Sequence, residues 1–247
     1  MKSIGGLVIV HNAIEHDYCV SECIESLLPI CDTVLVVECE STDGTPDLLT
    51  SMAAKESKIK VIQRPWRPSK NMEWMRDLTH NCKNHIGTDW YIAMDADEVI
   101  DPRGYCHIQE HVAHHAGTKV CASMLRLTFW KDSMHILPHG VICNHICSRV
   151  GPVSESLCGD LIDPPKKQMI QSRIYHYGHI RKRDAWVKKS VKCHQWAFGE
   201  VPNHWKRAEA GDMTDVDNCV PESTLVKFNS THPLLMMDWL TERGFTR

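Results

Sequence analysis

Residues 90–98 read Trp-Tyr-Ile-Ala-Met-Asp-Ala-Asp-Glu, a short apolar run that ends abruptly in Asp95, Asp97 and Glu98. In α/β proteins, ligands bind at the carboxyl ends of strands. Carboxylates at such an end can hold a hard divalent cation, such as magnesium or manganese, because these ions prefer oxygen ligands. An Asp-x-Asp pair by itself equally fits a solvated turn after a strand, so the preceding sequence decides between the two interpretations.

Strands and helices alternate through the first 95 residues. Continuous apolar runs, typical of strands covered on both faces, predict strands at 6–10 and 33–37, and a third strand is predicted at 59–63. Helices are predicted between them, with Asp17 and Thr45 as N-caps and a third helix over 71–84. This alternation predicts an α/β fold with a mostly parallel sheet.

Polar side chains emerge at the ends of three of these strands. They are His11 and Asn12 after the first strand, Glu38 after the second, and Asp95 and Asp97 after the fourth. Because parallel strands end at one edge of a sheet, this convergence favours a ligand site over a decorated surface.

Four motifs occur in this order. Residues 8–12 read Val-Ile-Val-His-Asn, and residues 34–45 read Val-Leu-Val-Val-Glu-Cys-Glu-Ser-Thr-Asp-Gly-Thr. Residues 75–77 read Met-Arg-Asp, and residues 91–98 read Tyr-Ile-Ala-Met-Asp-Ala-Asp-Glu. Their order and spacing resemble those of the family 2 glycosyltransferases of the GT-A fold. The resemblance is to a small cytoplasmic or phage-type member of that family.

The resemblance implies a nucleotide-sugar site built from these motifs. In it, Glu38 hydrogen-bonds the nucleotide base, His11 lies beside that base, and Arg76 contacts the nucleotide. Asp95 meets the ribose, and Asp97 binds a divalent metal, Mn²⁺ or Mg²⁺, that bridges the diphosphate. Asn12 and Asp43 complete the set implied for the nucleotide sugar. Two departures from the family pattern make the base preference less defined than the fold: Glu38 replaces an Asp, and Asp77 replaces an Asn.

The second half of the chain is less regular. Asp101-Pro102 predicts a helix start, 120–130 a strand, and 133–150 further sheet. The segment from Glu209 to Glu222 is expected to be a mobile acidic loop before a short final helix.

Two segments of this half extend the resemblance. They are Val-Ser-Glu at 153–155 and Ile-Tyr-His-Tyr-Gly at 174–178, which resemble a subset of small family 2 enzymes. There the acid is the general base of an inverting transfer and the His lies near the metal. This implies Glu155 as the catalytic base, Asp160 as its reserve, and His176 as a metal ligand.

Composition bounds the remaining possibilities. A chain of 247 residues can form one large domain, which we divide into a nucleotide-sugar-binding half (1–100) and an acceptor-binding, catalytic half (101–247). It has no run of eighteen apolar residues and no signal-peptide layout. The twelve scattered cysteines favour buried thiols in a reduced, cytoplasmic protein. Cys143-x-His-x-Cys147 and His111-x-x-His114-His115 lack a second pair at zinc-finger spacing.

Positive charge is concentrated in one segment. Residues 164–207 contain eleven Lys or Arg against two acidic residues, although the whole chain has a net charge of −3. Trp186, Trp196 and Trp205 interleave with this basic block. Basic charge together with aromatic side chains is typical of a phosphate-rich partner. We expect the acceptor to be either a hydroxymethylated DNA base or a glycan. The basic block could equally be a solvated surface or bind the donor diphosphate.

The sequence therefore predicts a metal-dependent, inverting hexosyl- or pentosyltransferase that uses a nucleoside-diphosphate sugar, UDP-linked, and a hydroxyl acceptor. Two alternatives stay open. One is a phosphatase of the haloacid-dehalogenase type with Asp95 as nucleophile, although this strand comes fourth and no later Asp-Asp pair follows. The other is a non-catalytic nucleic-acid-binding protein.

Overall fold

One large sheet organises the protein, whose computed structural model describes residues 2–68, 73–139, 146–157 and 164–245. Its strands are β1 (Ile4–Val10), β2 (Thr33–Glu38), β3 (Ile59–Gln63), β4 (Trp90–Asp95), β5 (Glu98–Ile100), β6 (Cys121–Thr128), β8 (Ile146–Pro152) and β9 (Lys167–His176), while β7 (His135–Ile136) and β10 (Val226–Lys227) form a separate ribbon. The helices are α1 (Val20–Leu27), α2 (Thr45–Lys55), α3 (Glu73–Cys82), α4 (Tyr105–His114), α5 (Arg183–Phe198), α6 (Asn203–Glu209), α7 (Thr214–Asn218) and α8 (Met237–Glu242).

The strand order of the large sheet is β3-β2-β1-β4-β8-β6-β9-β5. The first four strands are mutually parallel, and β6 and β9 are also parallel to each other. Strand β8 runs antiparallel to β4 and β6, and β5 runs antiparallel to β9. The prediction of a GT-A-like α/β fold with a mostly parallel, helix-flanked sheet is confirmed, and strands from both halves of the chain share that sheet.

Both faces of β1, β2 and β4 are buried, as their uninterrupted apolar runs predict. Val8, Ile24 and Ile92 belong to one apolar cluster, and Leu7 and Tyr91 belong to a second. Because neighbouring residues of a strand point to opposite faces, each strand contributes to both clusters. This double burial fixes the register that brings the strand ends together.

The predicted starts of two helices are wrong by a few residues. Helix α1 begins at Val20 after Cys19, so Asp17 is not its cap. The Asp17 carboxylate instead accepts hydrogen bonds from the Lys182 backbone and from the Arg243 guanidinium. Helix α2 begins at Thr45 itself, whose N–H donates to Asp43 Oδ1. At α1 tertiary contacts take up the carboxylate that was predicted to cap the helix, whereas at α2 the contact is local, because Asp43 lies two residues before Thr45.

The second half forms more structure than the sequence indicated. The predicted strand over 120–130 is confirmed as β6, and the Asp101 carboxylate caps the turn that leads into α4. The acidic segment 209–222, predicted to be a mobile loop, contains α7 and is tied to basic residues. Its ion pairs are Arg207 with Asp212 and Asp215, Arg183 with Asp217, and Lys131 with Glu222.

Within the described ranges, no helix is both long enough and apolar enough to cross a membrane. The ten cysteines of these ranges are all free thiols, and seven of them are buried. Burial raises the pKa of several of these thiols, for example that of Cys39 to about 12 and that of Cys121 to about 11. They therefore behave as small apolar core residues.

Candidate active site

The carboxyl ends of three parallel strands meet at one edge of the sheet. In the register of the sheet, Val10 lies opposite Glu38, and Ile9 lies opposite Asp95. His11 and the turn that follows β4 therefore extend from the same edge. The predicted meeting of these strand ends at one edge is confirmed, and a cavity of about 350 Å³ lies there.

One end of this cavity is aromatic. The rings of His11 and Trp66 stack with their centroids 4.1 Å apart, and Trp196 meets Trp66 edge-on at 5.0 Å. His11 Nδ1 donates to the backbone oxygen of Cys39 at 2.6 Å. Burial lowers the pKa of His11, so the imidazole is neutral at pH 7 and its Nε2 is an acceptor. A flat heteroaromatic ligand could stack at this end.

Three of the predicted site residues, Asn12, Asp43 and Glu38, hold the loops next to the aromatic end of the cavity. Asn12 donates to Glu15 and accepts the N–H of Thr42, which joins the loop after β1 to the turn before α2. Asp43 accepts the backbone N–H groups of Glu15 and Thr45. The buried carboxylate of Glu38 accepts the N–H of Ser41 at 2.6 Å. These contacts shape the site, and none of the three lines the cavity.

The opposite end of the cavity is charged. Ala96 and Asp97 form the turn between β4 and β5, and β5 pairs with β9 so that Glu98 lies opposite His176. This pairing brings Asp97 Oδ1 to 3.6 Å from His176 Nε2. Gly178 allows the backbone to approach both side chains closely, because a Cβ there would lie 2.5 Å from His176 Nε2 and 3.0 Å from Asp97 Oδ2.

Asp97 also carries two cationic partners on its second oxygen. Arg181 Nη2 lies 2.6 Å from Asp97 Oδ2, and Lys189 Nζ lies 3.8 Å from the same atom. Burial works against ionisation, but interactions with His176, Lys189 and Arg181 outweigh it and hold the pKa of Asp97 well below its usual range. Asp97 is thus a buried carboxylate that stays ionised.

Asp95 is held by a buried ionic network beneath the cavity. Arg149 Nη2 lies 2.8 Å from Asp95 Oδ2 and 2.5 Å from Glu98 Oε1, and Arg126 reaches the same Glu98 oxygen at 3.1 Å. Desolvation raises the pKa of Glu98, and the two guanidinium groups oppose that rise. Removing one partner of such a network would leave an uncompensated buried charge, so the network fixes the geometry after β4.

Two further histidines line the cavity with no hydrogen-bond partner in the part of the chain that is described. Both ring nitrogens of His16 and both of His179 are buried and unpaired. Burial, followed by the charge of Lys192, lowers the pKa of His16 to about 4, and burial lowers the pKa of His179 well below its usual value. Unpaired polar atoms in a cavity are costly unless a ligand or water satisfies them.

The donor atoms at the charged end fit a divalent metal held by two protein ligands. Asp97 Oδ1 and His176 Nε2 face each other, while the cations lie on Asp97 Oδ2. Metals at phosphate sites commonly take one or two protein ligands and complete their shell with substrate phosphates and water. No cluster of three or more His, Cys, Asp or Glu suited to a metal occurs among the described residues.

Glu155 lies at the other edge of the sheet, away from Asp95, and this placement gives no support to its prediction as the catalytic base. Strand β8 runs antiparallel to β4, and Pro152 lies opposite Trp90, at the start of β4. The two ends of β4 are separated by roughly 17 Å, at about 3.3 Å per residue. The Glu155 carboxylate pairs there with Lys119 at 3.2 Å. Asp160 and the Cys143 and His145 positions of the possible zinc motif lie outside the described residues.

Arg76 is not among the residues that line the cavity. Its side chain on α3 is 44% exposed and contacts Glu73 at 3.9 Å. The same helix contributes Trp74 and Met75 to the cavity instead.

Sequence reasoning missed most of the basic residues of the site. Arg126 and Arg149 lie within otherwise buried strands, where a charge requires a partner, and that signal could have identified them. The sequence shows Arg181 and Lys189 only as members of the basic block at 164–207. No local signal separates them from their exposed neighbour Lys188.

No protein-family model and no curated protein matches this chain. Among solved structures, it is similar to S. aureus TarS 1-349 in complex with UDP, with TM-score 0.40 and 18% identity over 50% of this chain and 36% of that chain. A second TarS 1-349 structure gives TM-score 0.46 and 11% identity over 90% of this chain and 73% of that chain. Mannosyltransferase PcManGT from Pyrobaculum calidifontis, in complex with GDP-Man and Mn2+, gives TM-score 0.40 and 18% identity over 51% of this chain and 36% of that chain. With every TM-score below 0.5, the assignment of function depends on the residues of this chain.

Proposed function

We propose that this protein is a glycosyltransferase that moves a sugar from a nucleoside-diphosphate donor, UDP-linked, to a hydroxyl acceptor. One observation carries the proposal: a single cavity at the carboxyl edge of the sheet has an aromatic end and a charged end. A nucleoside diphosphate has the same two parts, a flat base and an anionic diphosphate. The site lies where open α/β sheets bind their ligands.

At the aromatic end, His11 and Trp66 would receive the nucleotide base by stacking. The hydrogen bond from Nδ1 to the Cys39 carbonyl holds the neutral His11 ring in place, which keeps the stacking surface in position. Asp95, 45% exposed in its side chain and fixed by Arg149, would accept the ribose hydroxyls. Glu38, Asn12 and Asp43 support the loops that carry these contacts.

At the charged end, Lys189, which lines the cavity, would bind a diphosphate oxygen. It is already positioned by Asp97, so little side-chain freedom is lost when the diphosphate binds. Arg181 holds Asp97 in place and does not line this cavity. Asp97 and His176 would hold a divalent metal, Mn²⁺ or Mg²⁺, and a metal there supplies charge that offsets the negative charge growing on the leaving diphosphate.

In this proposal the donor site takes residues from both predicted halves, 1–100 and 101–247, because His176 and Lys189 line the donor cavity together with His11 and Asp95. The acceptor is bound by the second half. An inverting transfer needs a base beside the acceptor hydroxyl, and Glu155 does not lie there. A nucleic-acid acceptor receives less support than the basic block suggested, because the acidic segment 209–222 pairs with part of that block. The Asp95–Arg149 ion pair likewise gives no support to Asp95 as a phosphatase nucleophile.

Thermal melts with a panel of nucleoside diphosphates, each with and without Mn²⁺, test the proposal. A ligand at one hundred times its Kd stabilises the folded state by about 2.7 kcal/mol. We expect UDP to raise the Tm, and more so with Mn²⁺. If no nucleoside diphosphate changes the Tm under either condition, the proposed function is wrong.

A variant separates the two ends of the cavity. Trp66→Ala removes the stacking surface and leaves the charged end intact, so it should weaken UDP and leave inorganic pyrophosphate nearly unchanged. Base–aromatic stacking is worth about 1–3 kcal/mol. The matched control is Trp205→Ala, because Trp205 packs in a separate apolar cluster away from the donor cavity.

A further inference from the structure

A second cavity, of about 500 Å³, adjoins the donor cavity. It is lined by the turn from His179 to Arg183, by Lys131 and Trp186, and by Arg243 near the end of α8. His179 lines both cavities and therefore forms their common wall. A ligand in the second cavity would lie next to the Asp97 and His176 end of the donor site.

The lining of the second cavity is strongly cationic. Its five basic residues, Lys131, Arg181, Lys182, Arg183 and Arg243, face one lining carboxylate, Asp217. Carboxylates already pair with Arg181, Arg183 and Arg243, so the charge that remains comes chiefly from the two lysines. The remaining positive charge makes the cavity suited to an anion.

Two lysines are available to such an anion. Lys182 is exposed, and its ammonium has no ion-pair partner in the described ranges. Lys131 contacts only Glu222 among the described carboxylates, at 3.3 Å, and Glu222 is 81% exposed. Exposed pairs of this kind contribute little energy, so an incoming anion could replace Glu222.

An unpaired buried group points to a ligand at the common wall. Both ring nitrogens of His179 are buried without a hydrogen-bond partner, and its ring packs against Trp130, Trp186 and His176. The aromatic neighbours hold the ring in place between the cavities. A hydroxyl reaching from the second cavity toward the donor would satisfy one of these nitrogens.

We propose that the second cavity is the acceptor subsite and that it binds a phosphate group of the acceptor, next to the hydroxyl that receives the sugar. The acceptor role rests on the proposed function, whereas phosphate binding does not. A phosphate monoester carries about two negative charges near pH 7, which match the ammonium groups of Lys131 and Lys182. A carboxylate carries one, so it should bind more weakly.

Calorimetric titration of the full chain with glycerol 3-phosphate tests the proposal, with UDP present to fill the donor cavity. The double variant Lys131→Ala/Lys182→Ala should weaken this affinity about tenfold or more, the scale for charge-assisted hydrogen bonds. Lys188→Ala is the matched control, because Lys188 is an exposed lysine of α5 that lines neither cavity. It should change the affinity by less than about twofold.

Three results would overturn the proposal. They are no binding of glycerol 3-phosphate to the unaltered protein, equal loss in the double variant and in Lys188→Ala, or tighter binding of glucuronate than of glycerol 3-phosphate. Repeating the titration without UDP separates the two ideas. If UDP fails to bind, the proposed function and the acceptor role fall, while binding that depends on Lys131 and Lys182 still reports the phosphate site.

Discussion

Asp97 Oδ1 lies 3.6 Å from His176 Nε2, although the two residues come from opposite halves of the chain. The pairing of β5 with β9 creates this contact, because it places Glu98 opposite His176. The remaining Asp97 oxygen is held by Arg181 and Lys189. One carboxylate therefore connects the proposed metal site to Lys189, the proposed diphosphate cation.

Asp97→Asn should abolish sugar transfer and remove the effect of Mn²⁺ on UDP binding. It should also destabilise the fold by about 3–5 kcal/mol, because Arg181 would keep a buried charge without its partner. Transfer assays and denaturant unfolding measure the two effects. His176→Ala is the matched variant, since it removes the second candidate ligand and leaves the Arg181 pair in place. A full Mn²⁺ effect in both variants would refute the metal site.

Lys189→Gln should weaken UDP binding about tenfold, because a charged donor near the diphosphate would be lost. Lys188→Gln, one residue earlier on an exposed face of α5, should leave UDP affinity within about twofold. Calorimetric titration of both variants with UDP gives the comparison. Equal affinities would show that Lys189 serves only to neutralise Asp97.

Glu155→Gln should leave transfer within about twofold of the unaltered rate, because the side chain lies at the opposite edge of the sheet from Asp95. Its exposed partner Lys119 gives a weak pair, so the free energy of unfolding should change by less than about 1 kcal/mol. Steady-state kinetics check the rate. A hundredfold loss would be the mark of a catalytic base and would contradict this placement.

His16 should make the protein less stable in mild acid. Its pKa is lowered from 6.5 to about 4 by burial, so between these values the unfolded chain binds a proton that the folded chain does not. The stabilisation is complete above pH 6.5 and is lost as the pH falls toward 4, by up to roughly 3 kcal/mol. His16→Gln should flatten this part of the unfolding free energy against pH. The exposed His114→Gln is the control and should leave the slope unchanged.

The sequence alone determined the α/β half of the protein. Apolar runs without alternation identified the strands that end at Val10, Glu38 and Asp95, because strands buried on both faces need apolar residues throughout. The position of the cavity followed from the same runs, since parallel strands end at one edge. The sequence therefore predicts His11, Asp95 and Asp97 at this edge, and all three line the cavity.

Only the tertiary structure decided which charges meet. The position of Glu155 depends on the direction of β8, and an antiparallel strand carries its final residues to the far edge of the sheet. The separation of Lys189 from Lys188 depends on which side of α5 faces Asp97. Sequence spacing records neither strand direction nor helix orientation, because both are fixed by long-range packing. Local sequence patterns therefore could not predict which charged side chains pair with one another in the site.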